Sequence, residues 1–277
     1  MIDIHMHAGR LYVSDPKGLS ASYLLRFMDA NDIEKAVILP IESPEETHFY
    51  FTTEQVLRMC RRHPDRFIPF CNLDPRRGSL GQTRVLRTIL NEYRDRGCKG
   101  VGELMAGLHM DDPRMQAIYE ACGELGLPII FHLDAERDID ERGLPRLEAM
   151  ARKFPETIFM GHGPHFWAEI SADVKHSDIG GYPSGPVKRV GAAERLLAEC
   201  PNVYGDLSAG SGFNAINRDP AYGKWFLETF KDKLLFGTDL CRYGQQVPNI
   251  AQLRNAGISK EALRKITRAN AERLLGL

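Results

Sequence analysis

Near its start the chain reads IDIHMHAG, residues 2–9, a short apolar run that carries His5 and His7 two positions apart. Successive side chains of a strand point to opposite faces, so His5 and His7, with Asp3, are expected on one face. Ile4 and Met6 are then expected on the other face, packed outward against helices. Two imidazoles side by side in a core strand need a common partner. Other residues of metal-binding type close later apolar runs: Glu103 in GVGEL, His132 in IIFHLD, His162 in FMGHGP and Asp239 in LFGTDL. Singly, each has an ordinary reading, since a lone core histidine is usually hydrogen-bonded and a strand-end acid often caps a helix. Four histidines and two carboxylates converging without a cation would leave costly desolvated polar groups.

The elements that must position these residues can be marked from eight short runs rich in β-branched and aromatic residues. They are IDIHMHA from 2, KAVILPI from 35, FIPFCNL from 67, CKGVGELM from 98, LPIIFHL from 127, TIFMGHG from 157, NVYGDLS from 202 and LLFGTDL from 234. Amphipathic segments with helical spacing lie between them, at 20–33, 52–63, 80–97, 113–126, 144–154 and 192–200. This alternation requires parallel strands with crossover helices, and eight units favour a (β/α)8 TIM barrel over an open doubly wound sheet. No G-x-G-x-x-G follows an early strand, which weakens the open-sheet alternative. Residues 1–277 are read as a single domain. In such a barrel the C-terminal strand ends build the site, and the six candidates fall at that end of five strands.

One interval breaks the rhythm. Residues 164–190, after the sixth strand, add about 15 residues and are dense in Gly, Pro, aromatics and charge. They are read as an extended loop serving as a lid or substrate loop.

Composition narrows the partners. The net charge is −1, which gives no electrostatic case for nucleic acid or a membrane surface. No apolar run approaches the ~18 residues of a membrane span, and no secretory signal pattern is visible. The six cysteines are scattered without a C-x-x-C pair and read as small buried hydrophobes of a reducing compartment, so a cytoplasmic location is expected. A small-molecule substrate is expected, and homo-oligomerisation is left open.

The ordered set of HMH at 5–7, Glu103, His132, His162 in GHG and Asp239 in FGTDL resembles the amidohydrolase superfamily, in its amidohydrolase 2 branch, along essentially the whole chain. Many members of that family use a carboxylated lysine at the end of the fourth strand. Here Lys99 lies early in that strand, about 13 Å in depth from Glu103, so only Glu103 reaches the ligand position. The resemblance implies His5, His7 and Asp239 on a more buried metal, His132 and His162 on a second, and Glu103 bridging. With one metal, His132 completes the shell and His162 is free for acid–base work.

Imidazole and carboxylate donors suit zinc, with manganese, iron or cobalt as alternatives. By the same resemblance, metal-activated hydroxide attacks a carbonyl or ester carbon while Asp239 shuttles the proton. Lower-grade candidates are His165, Arg242 and Tyr182 for substrate binding, and Asp206 either as a carboxylate orienting a ligand histidine or as a loop cap. Three functions follow: a hydrolase of a small amide, lactone or ester; a metal-dependent decarboxylase of an aromatic or unsaturated acid; or a barrel that binds metal or ligand without turnover.

Overall fold

All eight predicted runs contain a strand in the computed structural model, which describes residues 1–45, 47–76 and 83–277. In chain order the strands are β1 (Ile2–Met6), β2 (Lys35–Ile38), β3 (Phe67–Pro69), β4 (Val101–Leu104), β5 (Leu108–His109), β6 (Ile129–His132), β7 (Asp138–Ile139), β8 (Phe159–His162), β9 (Val203–Asp206) and β10 (Leu234–Leu235). The short strands β5 and β7 pair with each other in a separate two-stranded sheet and were not anticipated. The rest form two parallel sheets, ordered β1-β2-β3 and β10-β9-β8-β6-β4.

Backbone hydrogen bonds cross both seams between the sheets. Beside β3 and β4, Lys99 N donates to Pro69 O at 2.9 Å and Cys71 N to Gly100 O at 3.1 Å. Beside β1, Ile4 N donates to Phe236 O at 3.0 Å and His7 N to Leu240 O at 3.1 Å. One face of the strands contributes Ile2, Ile4, Val37, Leu39, Ile68, Phe70, Ile130, Met160, Tyr204 and Leu235 to a single apolar cluster, which can assemble only if the sheets curve around it. β4 supplies space rather than bulk, because a Cβ at Gly100 would stand 2.3 Å from the Phe70 ring. The opposite strand faces pack under the helices in one larger cluster running from Met6 to Ile266.

The expected parity of β1 is corrected here. Ile4 belongs to the inner cluster and Met6 to the outer one, so the two do not share a face. A register shift between Asp3 and Met6 flips the alternation, and His5 N donating to Asp3 Oδ1 at 3.0 Å marks the irregularity. Asp3 therefore leaves the imidazole face and binds Thr238, through Oδ2 to Oγ1 at 2.6 Å.

Helices occupy the predicted amphipathic segments: Ala21–Ala30, Thr53–Arg62, Thr83–Asp95, Pro113–Leu125, Pro145–Lys153 and Ala192–Glu199. Positions 80–82 of the third segment lie outside the described residues. Local chemistry sets several ends. Asp112 caps Arg114 N and Pro113 opens the fourth helix, which stops at Gly126 in the left-handed region at φ 66°. Ala209–Asn217 has no comparable signal, since Gly210 and Gly212 depress helix propensity. The 164–190 interval contains a short helix, Pro164–Ala168, and folds back on itself, with Ala172 N donating to Lys188 O at 2.8 Å.

All six cysteines are free. No described helix is long and apolar enough to cross a membrane.

Candidate metal centre

Once β1 is out of step, both of its histidines turn toward the ends of β4 and β10. His5 Nε2 and His7 Nε2 lie 3.1 Å apart. Glu103 Oε2 stands 3.3 Å from the first and 3.5 Å from the second. Asp239 Oδ1 stands 3.6 and 3.4 Å from the same two nitrogens. The position of Asp239 depends on backbone geometry, as its N donates to His5 O at 2.8 Å and its φ of 52° is in the left-handed region.

These separations test whether a cation fits. Ligands at about 2.0–2.2 Å from a tetrahedral ion are about 3.3–3.6 Å from one another. The four distances from Glu103 and Asp239 to the two imidazole nitrogens, 3.3 to 3.6 Å, match that spacing, the two nitrogens themselves are slightly closer at 3.1 Å, and His5, His7 and Glu103 form the tightest set. Two imidazole nitrogens facing each other at 3.1 Å can share at most one proton, so the donor set is of the kind a divalent cation satisfies. The fit requires both histidines to be deprotonated at Nε2.

The remaining polar groups hold this set from behind. His5 Nδ1 donates to Asp206 Oδ2 at 2.6 Å, which leaves Nε2 as the free lone pair. The fully buried Asp206 also accepts from Ser208 Oγ at 2.9 Å and stands 3.1 Å from His162 Nδ1. Trp167 Nε1 donates to the Asp206 backbone carbonyl at 2.8 Å, which ties the end of β9 to the helix after β8. His7 Nδ1 faces Leu39 O at 3.4 Å.

Glu103 turns its second oxygen the other way, with Oε1 2.7 Å from His132 Nδ1 and 3.5 Å from His162 Nε2. The first of these is a hydrogen-bond distance, shorter than the spacing of two ligands on one tetrahedral ion. His132 Nε2 faces Asp134 Oδ2 at 3.4 Å, and Asp134 is in turn paired with Arg137. Asp134 and Ser208 were missed in the sequence; each lies two residues beyond a polar strand-end residue, His132 and Asp206.

The charges follow from burial opposed by pairing. Burial alone would lower the histidine values, but Glu103 and Asp206 hold His5 well above the usual histidine range. Against the same burial cost, Asp239 and Glu103 raise His7 to about 8, and Glu103 with Asp134 raises His132 to about 10. Burial would raise Glu103, but the imidazoles of His5 and His132 keep it well below the ordinary carboxylate range.

Of the expected residues, His5, His7, Glu103, His132, His162 and Asp239 come together. His165 does not reach the cluster. Its ring is fully buried, without a hydrogen-bond partner among the described residues, and Glu169 Oε1 is 3.6 Å away. Arg242 is exposed in the loop after Asp239. Tyr182 is 60% exposed and lies over Gly210, where a Cβ would stand 2.9 Å from the phenol oxygen.

The family model described as Amidohydrolase matches residues 2–277. Among solved structures, an uncharacterised TIM-barrel protein of Bordetella bronchiseptica matches with TM-score 0.67 and 19% identity, over 93% of this chain and 83% of that one. A probable 2-pyrone-4,6-dicarboxylic acid hydrolase of Acinetobacter baumannii, with citric acid bound, matches with TM-score 0.64 and 15% identity, over 100% and 99% of the two chains. A 5-carboxyvanillate decarboxylase of Novosphingobium aromaticivorans, complexed with manganese and 4-hydroxy-3-methoxy-5-nitrobenzoic acid, matches with TM-score 0.61 and 15% identity, over 100% and 96%. A search of curated proteins found no match. At these identities the structural likenesses establish the fold, an α/β TIM barrel.

Proposed function

The chain belongs to the amidohydrolase family, and on that premise we propose that it is a metal-dependent hydrolase of a small amide, lactone or ester, with His5, His7, Glu103 and Asp239 as ligands of one divalent cation. A cation held there supplies Lewis acidity and lowers the pKa of water. Asp206 fixes the tautomer of His5, and His132 orients Glu103 through Oε1.

The observation that carries the reading is the exposure of Asp239. Its side chain is 22% accessible, against 4% for Glu103 and 0% for Asp206. Asp239 is thus the carboxylate of this group that incoming water and substrate can reach. Its Oδ1 faces the imidazoles, which leaves Oδ2 to accept a proton from the attacking water and pass it to the leaving group.

Decarboxylation of an aromatic or unsaturated acid is the second reading, favoured by His132. Carboxylates on both sides keep this imidazole protonated, ready to donate to a carbon centre. Parallel assays for lactone or amide hydrolysis and for carbon dioxide release separate the two. Asp239→Asn is expected to abolish hydrolysis while the fold persists, and undiminished hydrolysis in that variant overturns the assignment. Metal analysis of the purified chain is expected to give one equivalent, and a chain that takes up none under metal-replete conditions rejects both readings in favour of a non-catalytic barrel.

A further inference from the structure

The segment 164–190 packs against the end of the helix Ala209–Asn217, and a cavity of about 290 Å³ lies between them. Arg218, the residue that ends that helix, lines it together with Ser171, Asp173, Lys175, Asp178 and Ser184. The Nε and Nη2 atoms of Arg218 are both buried and have no hydrogen-bond partner among the described residues. A guanidinium edge removed from water without an acceptor costs several kcal/mol, so such a group calls for a water or an ion.

The two acids in the wall bond to groups of the same wall rather than to Arg218, although their charges act on it. Asp173 Oδ1 accepts from Ser171 Oγ at 2.6 Å, and Asp178 Oδ2 accepts from Lys175 N at 2.8 Å. Nε and Nη2 form the side-on edge of the guanidinium, whose two parallel N–H groups match two oxygens of one carboxylate or phosphate. Lys175 adds a second positive charge to the same cavity, so that the two cations of the wall balance Asp173 and Asp178.

We propose that Arg218 and Lys175 form a binding site for a small oxyanion, taken side-on by Nε and Nη2 of Arg218. This site is separate from the metal centre. Ser208, at the start of the helix, touches the His162 ring at 3.0 Å, and Arg218 is at the other end, ten positions on or about 15 Å away. A bound oxyanion bridges the 171–184 stretch to that helix and braces the segment that flanks the metal centre. The inference does not depend on the reaction assigned above.

The test is calorimetry and thermal unfolding of the full chain titrated with sodium phosphate, and separately with sodium acetate, against sodium chloride at matched ionic strength. Saturable stabilisation by phosphate, acetate or both is expected, and their order identifies a phosphate-type or a carboxylate-type ligand. Arg218→Gln is expected to weaken binding about tenfold or more. Asp173→Asn, which removes a negative charge from the wall, is expected to retain or tighten it. Absence of any effect beyond chloride overturns the proposal, as does an unchanged affinity in Arg218→Gln, which would place the anion elsewhere. If Arg218→Gln does not fold, Lys175→Gln substitutes for it. Lys175 is exposed, and an unchanged affinity in that variant also overturns the site.

Discussion

At the residue scale, the centre is a contest between burial and pairing. Carboxylates hold His5, His7 and His132 above the ordinary histidine range, so without a cation a proton is favoured between Nε2 of His5 and Nε2 of His7, which can share only one. A cation must displace that proton, so apparent affinity should rise with pH through about 8, where His7 titrates, and beyond it because His5 is held higher still. Calorimetry of metal binding in two buffers of different ionisation enthalpy would measure the protons released. His5→Ala should strip the metal and with it the activity. Asp206→Asn keeps the shape but weakens the hold on the His5 tautomer, and should cost about 10–100-fold in metal affinity. Equal affinity in that variant would mean that Asp206 only fills space.

At the element scale, backbone irregularities aim the donors. β1 slips by one residue, and Gly102 at φ 133° precedes Glu103, with a Cβ there only 2.4 Å from the Ile130 carbonyl oxygen. Gly102→Ala should therefore destabilise the fold by about 1–3 kcal/mol and lower metal occupancy, read by denaturant unfolding and metal analysis. These irregularities were also where sequence reasoning fell short. The eight strands were legible because each is an apolar run bounded by turn residues, and the six clustered residues because polar residues at strand ends stand out. Strict alternation then placed Asp3 beside His5 and His7, whereas the slip sends it to Thr238. A slip of this kind is set by a tertiary hydrogen bond, which period-two counting does not contain. His165 lies outside the cluster for a related reason: its distance from His162 in sequence says nothing of which way the intervening turn at Gly163 directs it.

At the scale of the whole molecule, the inner cluster is filled unevenly, and its stability should reflect that. Phe70 fills the space that Gly100 leaves beside β4 and is fully buried, so Phe70→Ala should cost about 3–5 kcal/mol, measured as a shift in denaturant midpoint. A loss below about 1 kcal/mol would mean that the neighbouring strands collapse into the space. The separation of roles is also visible at this scale, with chemistry at the strand ends and strength in the apolar cluster between them.

The seam between β1 and residues 236–240 bears on how the protein is made. His5 and His7 leave the ribosome more than 200 residues before Phe236, Thr238, Asp239 and Leu240, which pair with β1. Chains are synthesised from the N-terminus at about 5–20 residues per second, so the first strand waits on the order of 10 seconds for its neighbour. During that time the two imidazoles lack Asp206 and Asp239, and a nascent chain released before residue 240 would hold a metal poorly. Loading of the centre thus waits until synthesis has passed residue 240.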